Sequence, residues 1–219
     1  MSIELIHGDC MDVMATYPDK YFELAIVDPP YGIDISVERF KRGQSCKKNG
    51  FKEHLNKDWD KEVPNDKYFK ELFRVSRNQI IWGGNYFDLP PSRCFLIWDK
   101  VQRIDQADCE IAWTSFNTSA RIFAYARGNE SGFAPKLQNQ DRAGINIHPT
   151  QKPIALYKWL LINYANEGDK ILDTHLGSGS SAIAAHKLGF DFVGVEIDKD
   201  YYDAAVKRFN LVTSQMALF

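Results

Sequence analysis

An α/β fold organised around a mostly parallel sheet is what this 219-residue chain predicts. Short apolar runs alternate with amphipathic segments, so strand, helix, strand recurs, and a parallel sheet is the economical way to join such units. The strand candidates also end in polar or acidic tips: His7-Gly8-Asp9, Asp28-Pro29-Pro30-Tyr31, Gly83-Gly84-Asn85, Asp173 and Glu196. Open α/β sheets bind ligands outside the carboxyl ends of their strands, so such tips mark a prospective functional edge. The length suits one substantial core, and the expectation is a single domain spanning 1–219.

Composition narrows the class. An apolar share of 44% against 26% charged residues is that of a folded soluble protein. No 18-residue apolar segment exists, and Met1-Ser2-Ile3-Glu4 lacks a basic region leading into a signal core. The expectation is a cytoplasmic protein without a membrane partner. Cys10, Cys46, Cys94 and Cys109 are widely separated and form no CxxC pair, which indicates neither a zinc site nor a disulfide framework. A net charge of -2 provides no global attraction for nucleic acid, so any such binding must come from a local basic surface.

In chain order, Ile3–Ile6 is a strand candidate and Cys10–Thr16 a short helix that stops before Pro18. Asp9 either caps that helix or serves as an acid at a strand's carboxyl end. Leu24–Val27 is a buried strand that runs into Asp28-Pro29-Pro30-Tyr31-Gly32. Two prolines stiffen this tip and remove two donors, leaving carbonyl acceptors. It reads either as a plain strand and turn, or as a site where Asp28 and a proline carbonyl accept from an amino group while Tyr31 stacks on a flat ring.

Periodicity is lost over 33–62. Between Arg39 and Lys57, the residues Arg39, Lys41, Arg42, Lys47, Lys48, Lys52 and Lys57 stand against the single acid Glu53, with Phe40, Phe51 and His54 interleaved. The segment is a solvated loop or, given its basic and aromatic mixture, a contact for a polyanion. Asn65 or Asp66 caps a helix through Val75, and Gln79–Trp82 is a strand ending in Gly83-Gly84-Asn85-Tyr86. Arg93–Trp98, Cys109–Trp113 and Ala120–Ala126 are further strands. No helix intervenes near Ser115–Ser119, so part of this region is expected to be antiparallel. Residues 127–147 are irregular and carry Phe133, Lys136 and Arg142.

His148-Pro149-Thr150-Gln151-Lys152-Pro153 leads into an amphipathic helix, Ile154–Tyr164, with Pro153 suited to its first turn and Gly168 beyond its end. A strand reaching Asp173, a turn Leu176-Gly177-Ser178-Gly179-Ser180-Ser181, a helix to Leu188 and a strand Phe190–Glu196 follow, then a helix from Tyr201 to about Leu211. Strand, glycine turn, helix, strand and an acid about 20 residues beyond the turn is the arrangement that binds a nucleotide's ribose. The turn is not GxGxxG, and no phosphate-loop lysine motif is present. Adenosine carrying another reactive tail fits better than a nicotinamide dinucleotide or ATP hydrolysis.

Taken together, these motifs resemble the S-adenosylmethionine-dependent DNA amino-methyltransferases in their circularly permuted, beta-type order, where Asp-Pro-Pro-Tyr precedes the cofactor half. The family turn Asp-Pro-Phe-x-Gly-Ser-Gly-Thr is varied here to Asp173-Thr174-His175-Leu176-Gly177-Ser178-Gly179-Ser180, with His175 at the aromatic position. The resemblance implies a Rossmann-like methyltransferase fold with a mostly parallel seven-stranded sheet and one antiparallel strand. It implies Asp28, Pro29, Pro30 and Tyr31 as catalytic residues. For S-adenosyl-L-methionine it implies Asp9, Asp28, His148, Thr150, Lys152, Asp173, His175, Gly177, Ser178, Gly179, Ser180, Glu196 and Ile197. Residues 33–62 become a basic catalytic-side loop and 127–147 a short recognition loop, whose Arg39, Lys41, Arg42, Lys47, Lys48, Lys52, Lys136 and Arg142 contact DNA. No metal is implied.

The resemblance links aspartate at the first motif position to the N6 amino group of a flipped adenine more often than to the N4 of cytosine, where serine is common. Alternatives are a cytosine-N4 enzyme, an RNA or protein methyltransferase, and a non-catalytic nucleic-acid-binding module. Relatives sometimes dimerise, so a homodimer is compatible with the resemblance. The target sequence and any restriction endonuclease partner are not legible.

Overall fold

The computed structural model describes residues 1–32, 63–101, 107–126 and 151–214. The elements are β1 (Ile3–His7), α1 (Cys10–Ala15), β2 (Phe22–Val27), α2 (Asp66–Val75), β3 (Ser76–Trp82), β4 (Phe95–Asp99), β5 (Cys109–Thr114) and β6 (Arg121–Ala124). They are followed by α3 (Ile154–Tyr164), β7 (Lys170–Asp173), α4 (Ser180–Leu188), β8 (Asp191–Glu196) and α5 (Lys199–Ser214). A 3₁₀ turn, Gly84–Tyr86, lies just beyond β3.

These strands form one mixed sheet in the order β1-β8-β7-β2-β3-β5-β4-β6. Five neighbours from β1 to β3 run parallel, β5 is antiparallel to both β3 and β4, and β6 lies parallel to β4. The sheet therefore has eight strands where seven were expected. Seven came from the family resemblance; the eighth is β6, a four-residue, largely exposed strand on the outer edge of β4. Its sequence was read as a strand, but its place outside the expected set is a matter of pairing. The expected antiparallel strand is β5.

Continuous apolar strands follow from burial on both faces of the sheet. Along β2, Leu24 and Ile26 face a core shared with Leu156, Leu160 and Leu161 of α3 and Ile183 of α4. Ala25 and Val27 face the opposite core, with Met14 of α1 and Phe69 and Leu72 of α2. Strand β3 divides likewise, with Ile80 and Trp82 on one side and Ile81 on the other. Helix starts follow local chemistry: the Asn65 side chain accepts from Lys67 N at 3.0 Å and Tyr68 N at 3.3 Å, so Asn65 rather than Asp66 is the cap. Helix α5 extends to Ser214, beyond its expected end. Among the described residues no helix is long and apolar enough to cross a membrane.

Candidate active site

The parallel half of the sheet sets five carboxyl-terminal strand ends side by side. Register pairs His7 with Glu196 across β1 and β8, Asp173 with Gly194 across β7 and β8, and Ala25 with Leu172 across β2 and β7. The tips carrying Asp9, Glu196, Asp173 and Asp28 thus follow one another along one edge, and Asp28 and Glu196 lie about 10 Å apart in strand spacings. Residues nearly 170 positions apart in sequence are brought to one edge by the sheet order.

Asp28 is tightly held. Its Oδ1 accepts the Tyr31 hydroxyl at 2.5 Å, and its Oδ2 is paired with the Lys152 ammonium just ahead of α3. Lys152 also pairs with Glu110 of β5 at 3.0 Å, and Glu110 with Lys100, just past β4, at 2.8 Å. Lys152 lies 5.3 Å from the centroid of the Trp82 ring. Burial pulls the Lys152 ammonium down, yet Asp28 and Glu110 outweigh it and hold its pKa above the usual lysine value. Burial pushes Glu110 up, but Lys152 and Lys100 prevail and lower it to about 2. The Tyr31 phenol is pushed well up by burial and by the charge of Asp28.

The Tyr31 ring is stacked on Tyr86, with centroids 5.0 Å apart and planes 14° from parallel. It also crosses Gly83, whose φ of +69° and missing Cβ leave the space that the ring fills. Tyr86 is half-exposed at this edge. A flat ring meeting Tyr31 on that side must share the position with Tyr86.

On the other side of the edge, Asp173 is buried, accepting His175 N at 3.0 Å and the Ser181 hydroxyl at 2.6 Å. Burial raises its pKa to about 7. Glu196 bridges its own strand tip and the glycine turn, accepting Gly177 N at 2.8 Å and Asp198 N at 2.9 Å; burial raises its pKa as well. Gly177 and Gly179 take φ values of +52° and +72°, which give the turn its shape. Arg208 of α5 braces that turn by donating to Ser178 O at 2.7 Å and Ser180 Oγ at 2.9 Å. Asp9 caps α1 by accepting Met11 N at 2.8 Å, so the capping reading describes its contact, and it does so at the same edge. The His175 ring meets Thr174 at 2.9 Å and the Tyr68 ring edge-on; burial lowers its pKa to about 4, leaving it neutral near pH 7.

A glycine turn, a bridging carboxylate and a permuted order suggest a class, and sequence comparison decides it. The profile of the N6/N4 DNA methylase family matches residues 81–207. The chain belongs to that family. YubD of Escherichia coli (strain K12), named as a methylase, is 23% identical over 96% of this chain and 92% of its own length. The fold is shared with the M1.HpyAVI–SAM complex at a TM-score of 0.56 and 19% identity, covering 94% of this chain and 99% of the other. It is also shared with PvuII DNA methyltransferase, cytosine-N4-specific, at a TM-score of 0.61 and 13% identity, covering 98% and 91%.

The protein is therefore an S-adenosylmethionine-dependent DNA methyltransferase of the permuted amino-methylating type. The described residues fit that cofactor. Ile197, 66% exposed beside Glu196, offers apolar surface next to a carboxylate that retains lone pairs for hydroxyl donors, and Gly8 has open space at its α-carbon. His148 and Thr150 lie outside the described residues, as do the basic residues Arg39, Lys41, Arg42, Lys47, Lys48, Lys52, Lys136 and Arg142. Lys152, implied by the resemblance for the cofactor, is paired with Asp28 and Glu110. Sequence reading passed over Glu110, Lys100 and Arg208. A lone acid inside the apolar run Cys109–Trp113 was the available signal for Glu110; nothing local marked Arg208. Among the described residues, no three side chains are placed to hold a metal ion.

Proposed function

We propose that this enzyme methylates the N6 amino group of an adenine turned out of the DNA helix, with Asp28 and the Pro29 carbonyl as acceptors of its two N–H groups. The observation that carries the reading is the doubly held Asp28 carboxylate, on the strand adjoining that of Asp173. An amino nitrogen conjugated to a purine ring is a weak nucleophile. Two acceptors on its hydrogens favour a pyramidal nitrogen with a localised lone pair, and alignment of that lone pair is worth several orders of magnitude in rate. The cofactor supplies an electrophilic methyl group. Asp9, His148, Thr150, Asp173, His175, Gly177 to Ser180, Glu196 and Ile197 are assigned to holding it. Pro29 and Pro30 keep the acceptors from swinging away, and the surplus proton leaves the nitrogen after transfer.

Reaching the amino group requires the base to leave the stack, and Tyr31 is assigned to receive it. The single domain of 1–219 would grip adjacent phosphates with the basic segment 33–62 and read sequence with 127–147. Aspartate at position 28 supports adenine as the target base.

The test is transfer of labelled methyl into duplexes carrying only adenine or only cytosine amino targets, with Asp28→Ala as the control. Label in N6-methyladenine, abolished by D28A with cofactor binding retained, is expected. Label confined to N4-methylcytosine would overturn the base assignment, and undiminished turnover by D28A would overturn the role of Asp28.

A further inference from the structure

We infer that Glu110 and Lys100 are positioning residues for methyl transfer: through Lys152 they fix the direction of the Asp28 carboxylate and keep the ammonium beside it charged. The inference rests on the reading of Asp28 as the amino-group acceptor. Four side chains from four separate places in the fold form one line, Lys100–Glu110–Lys152–Asp28, ended by the Tyr31 hydroxyl. Glu110 gives one carboxylate oxygen to each lysine, Oε1 to Lys100 and Oε2 to Lys152. Side-chain exposures along the line are 8%, 19%, 2% and 17%, so solvent contributes little to its geometry.

An ammonium has three donors, and at Lys152 they have three acceptors: Asp28 Oδ2, Glu110 Oε2 and Tyr31 Oη at 3.4 Å. With Glu110 taking one, Lys152 cannot rotate away from Asp28. With Oδ2 held by Lys152 and Oδ1 by Tyr31, the carboxylate cannot turn about its own bond, and its remaining lone pairs keep one direction for a substrate N–H. Lys100 has a separate part. Without it, Glu110 would add an uncompensated negative charge behind the pair; with it, the four charges sum to zero. Stability alone is a weak reason to bury such a line, because apolar replacements of buried ion pairs are often as stable or more so.

Among the described residues, the titratable groups that face Lys152 are Asp28 and Tyr31 beyond β2 and Glu110 from β5, with Lys100 behind Glu110. Removing the charge of Glu110 takes away one of the two carboxylates that hold the ammonium protonated, while desolvation, which acts in the opposite sense, remains. The Lys152 pKa must then fall.

The experiment uses Glu110→Gln and Lys100→Gln in the full chain, with Glu110→Asp as the conservative control. Lys152 is followed by NMR titration of ¹³C-lysine-labelled protein, assigned through Lys152→Arg, a readout that needs no substrate. In E110Q, Lys152 is expected to titrate at lower pH than in the parent. Turnover is expected to fall about tenfold to a hundredfold, with cofactor affinity unchanged and a new alkaline limb in the pH profile of kcat. E110D restores part of the rate. If E110Q does not fold, K100Q, which leaves the Lys152–Asp28 pair in place, is expected to show a smaller fall in kcat at constant cofactor affinity. Parent-like kcat in the folded variants, or an unmoved Lys152 titration in E110Q, would overturn the inference. A parent enzyme that transfers no methyl to an amino group would overturn the acceptor reading itself, a result separable from the titration.

Discussion

Replacing Lys152 by methionine isolates the electrostatic centre of the site. Met roughly matches the lysine stem in volume, so the principal loss is the ammonium between Asp28 and Glu110. The lysine side chain is 2% exposed and the two carboxylates 17% and 19%, so little solvent is available to take over the screening. Removing one member of a buried pair leaves uncompensated charge and costs about 3–5 kcal/mol. The depression of Glu110 from 4.5 to about 2, produced jointly by Lys152 and Lys100 against burial, corresponds to about 3 kcal/mol, the same order. Against a usual total stability of about 5–15 kcal/mol, that is a large fraction. The pH dependence has a definite sign. In the parent, the folded pKa of Glu110 lies below its unfolded value, so its contribution is complete above about pH 4.5 and is lost as pH falls toward 2. In K152M the Lys100 ammonium alone is left to offset Asp28 and Glu110, and protonating Glu110 relieves the surplus negative charge. The deficit is therefore largest at neutral pH and shrinks as pH falls toward about 5. Urea denaturation of parent and variant at several pH values between 8 and 5 measures it. A deficit under about 1 kcal/mol at pH 7.5, or one that grows on acidification, would refute the reasoning.

Two further substitutions examine the ends of the site. Gly83→Ala places a methyl group in the Tyr31 ring at a φ of +69°; a stability loss of about 1–3 kcal/mol and severe loss of methyl transfer are expected, and parent-like turnover would show that Tyr31 need not lie there. Arg208→Met removes both bonds to the glycine turn, and cofactor binding by calorimetry is expected to weaken about tenfold, since hydrogen bonds from a charged donor are worth about 1.5–3 kcal/mol. Unchanged affinity would leave the brace without a role in binding.

Much of the architecture was legible because local rules and tertiary need agree. The apolar runs of β2 and β3 and the glycine turn before α4 each state their conformation in a few residues, whereas the sequence narrowed the cap of α2 only to Asn65 or Asp66. Other features had no local signature. The eighth strand could be read as extended, but not as the partner of β4. Asp9 presented two roles, and its contact is that of a cap located at the site's edge. Tyr31, expected to offer a ring to substrate, is stacked on Tyr86, a pairing between segments more than 50 residues apart.

The sequence alone determined the alternation of strand and helix, the stiff acidic tip after β2, the glycine turn and the permuted order in which they come, because each depends on periodicity, backbone restriction or short spacing. Only the tertiary structure decided what Lys152 pairs with, that Glu110 and Lys100 stand behind it, and that Arg208 braces the turn. Charge partners buried together are chosen by strand order and register, and those bring near one another residues that no local pattern links.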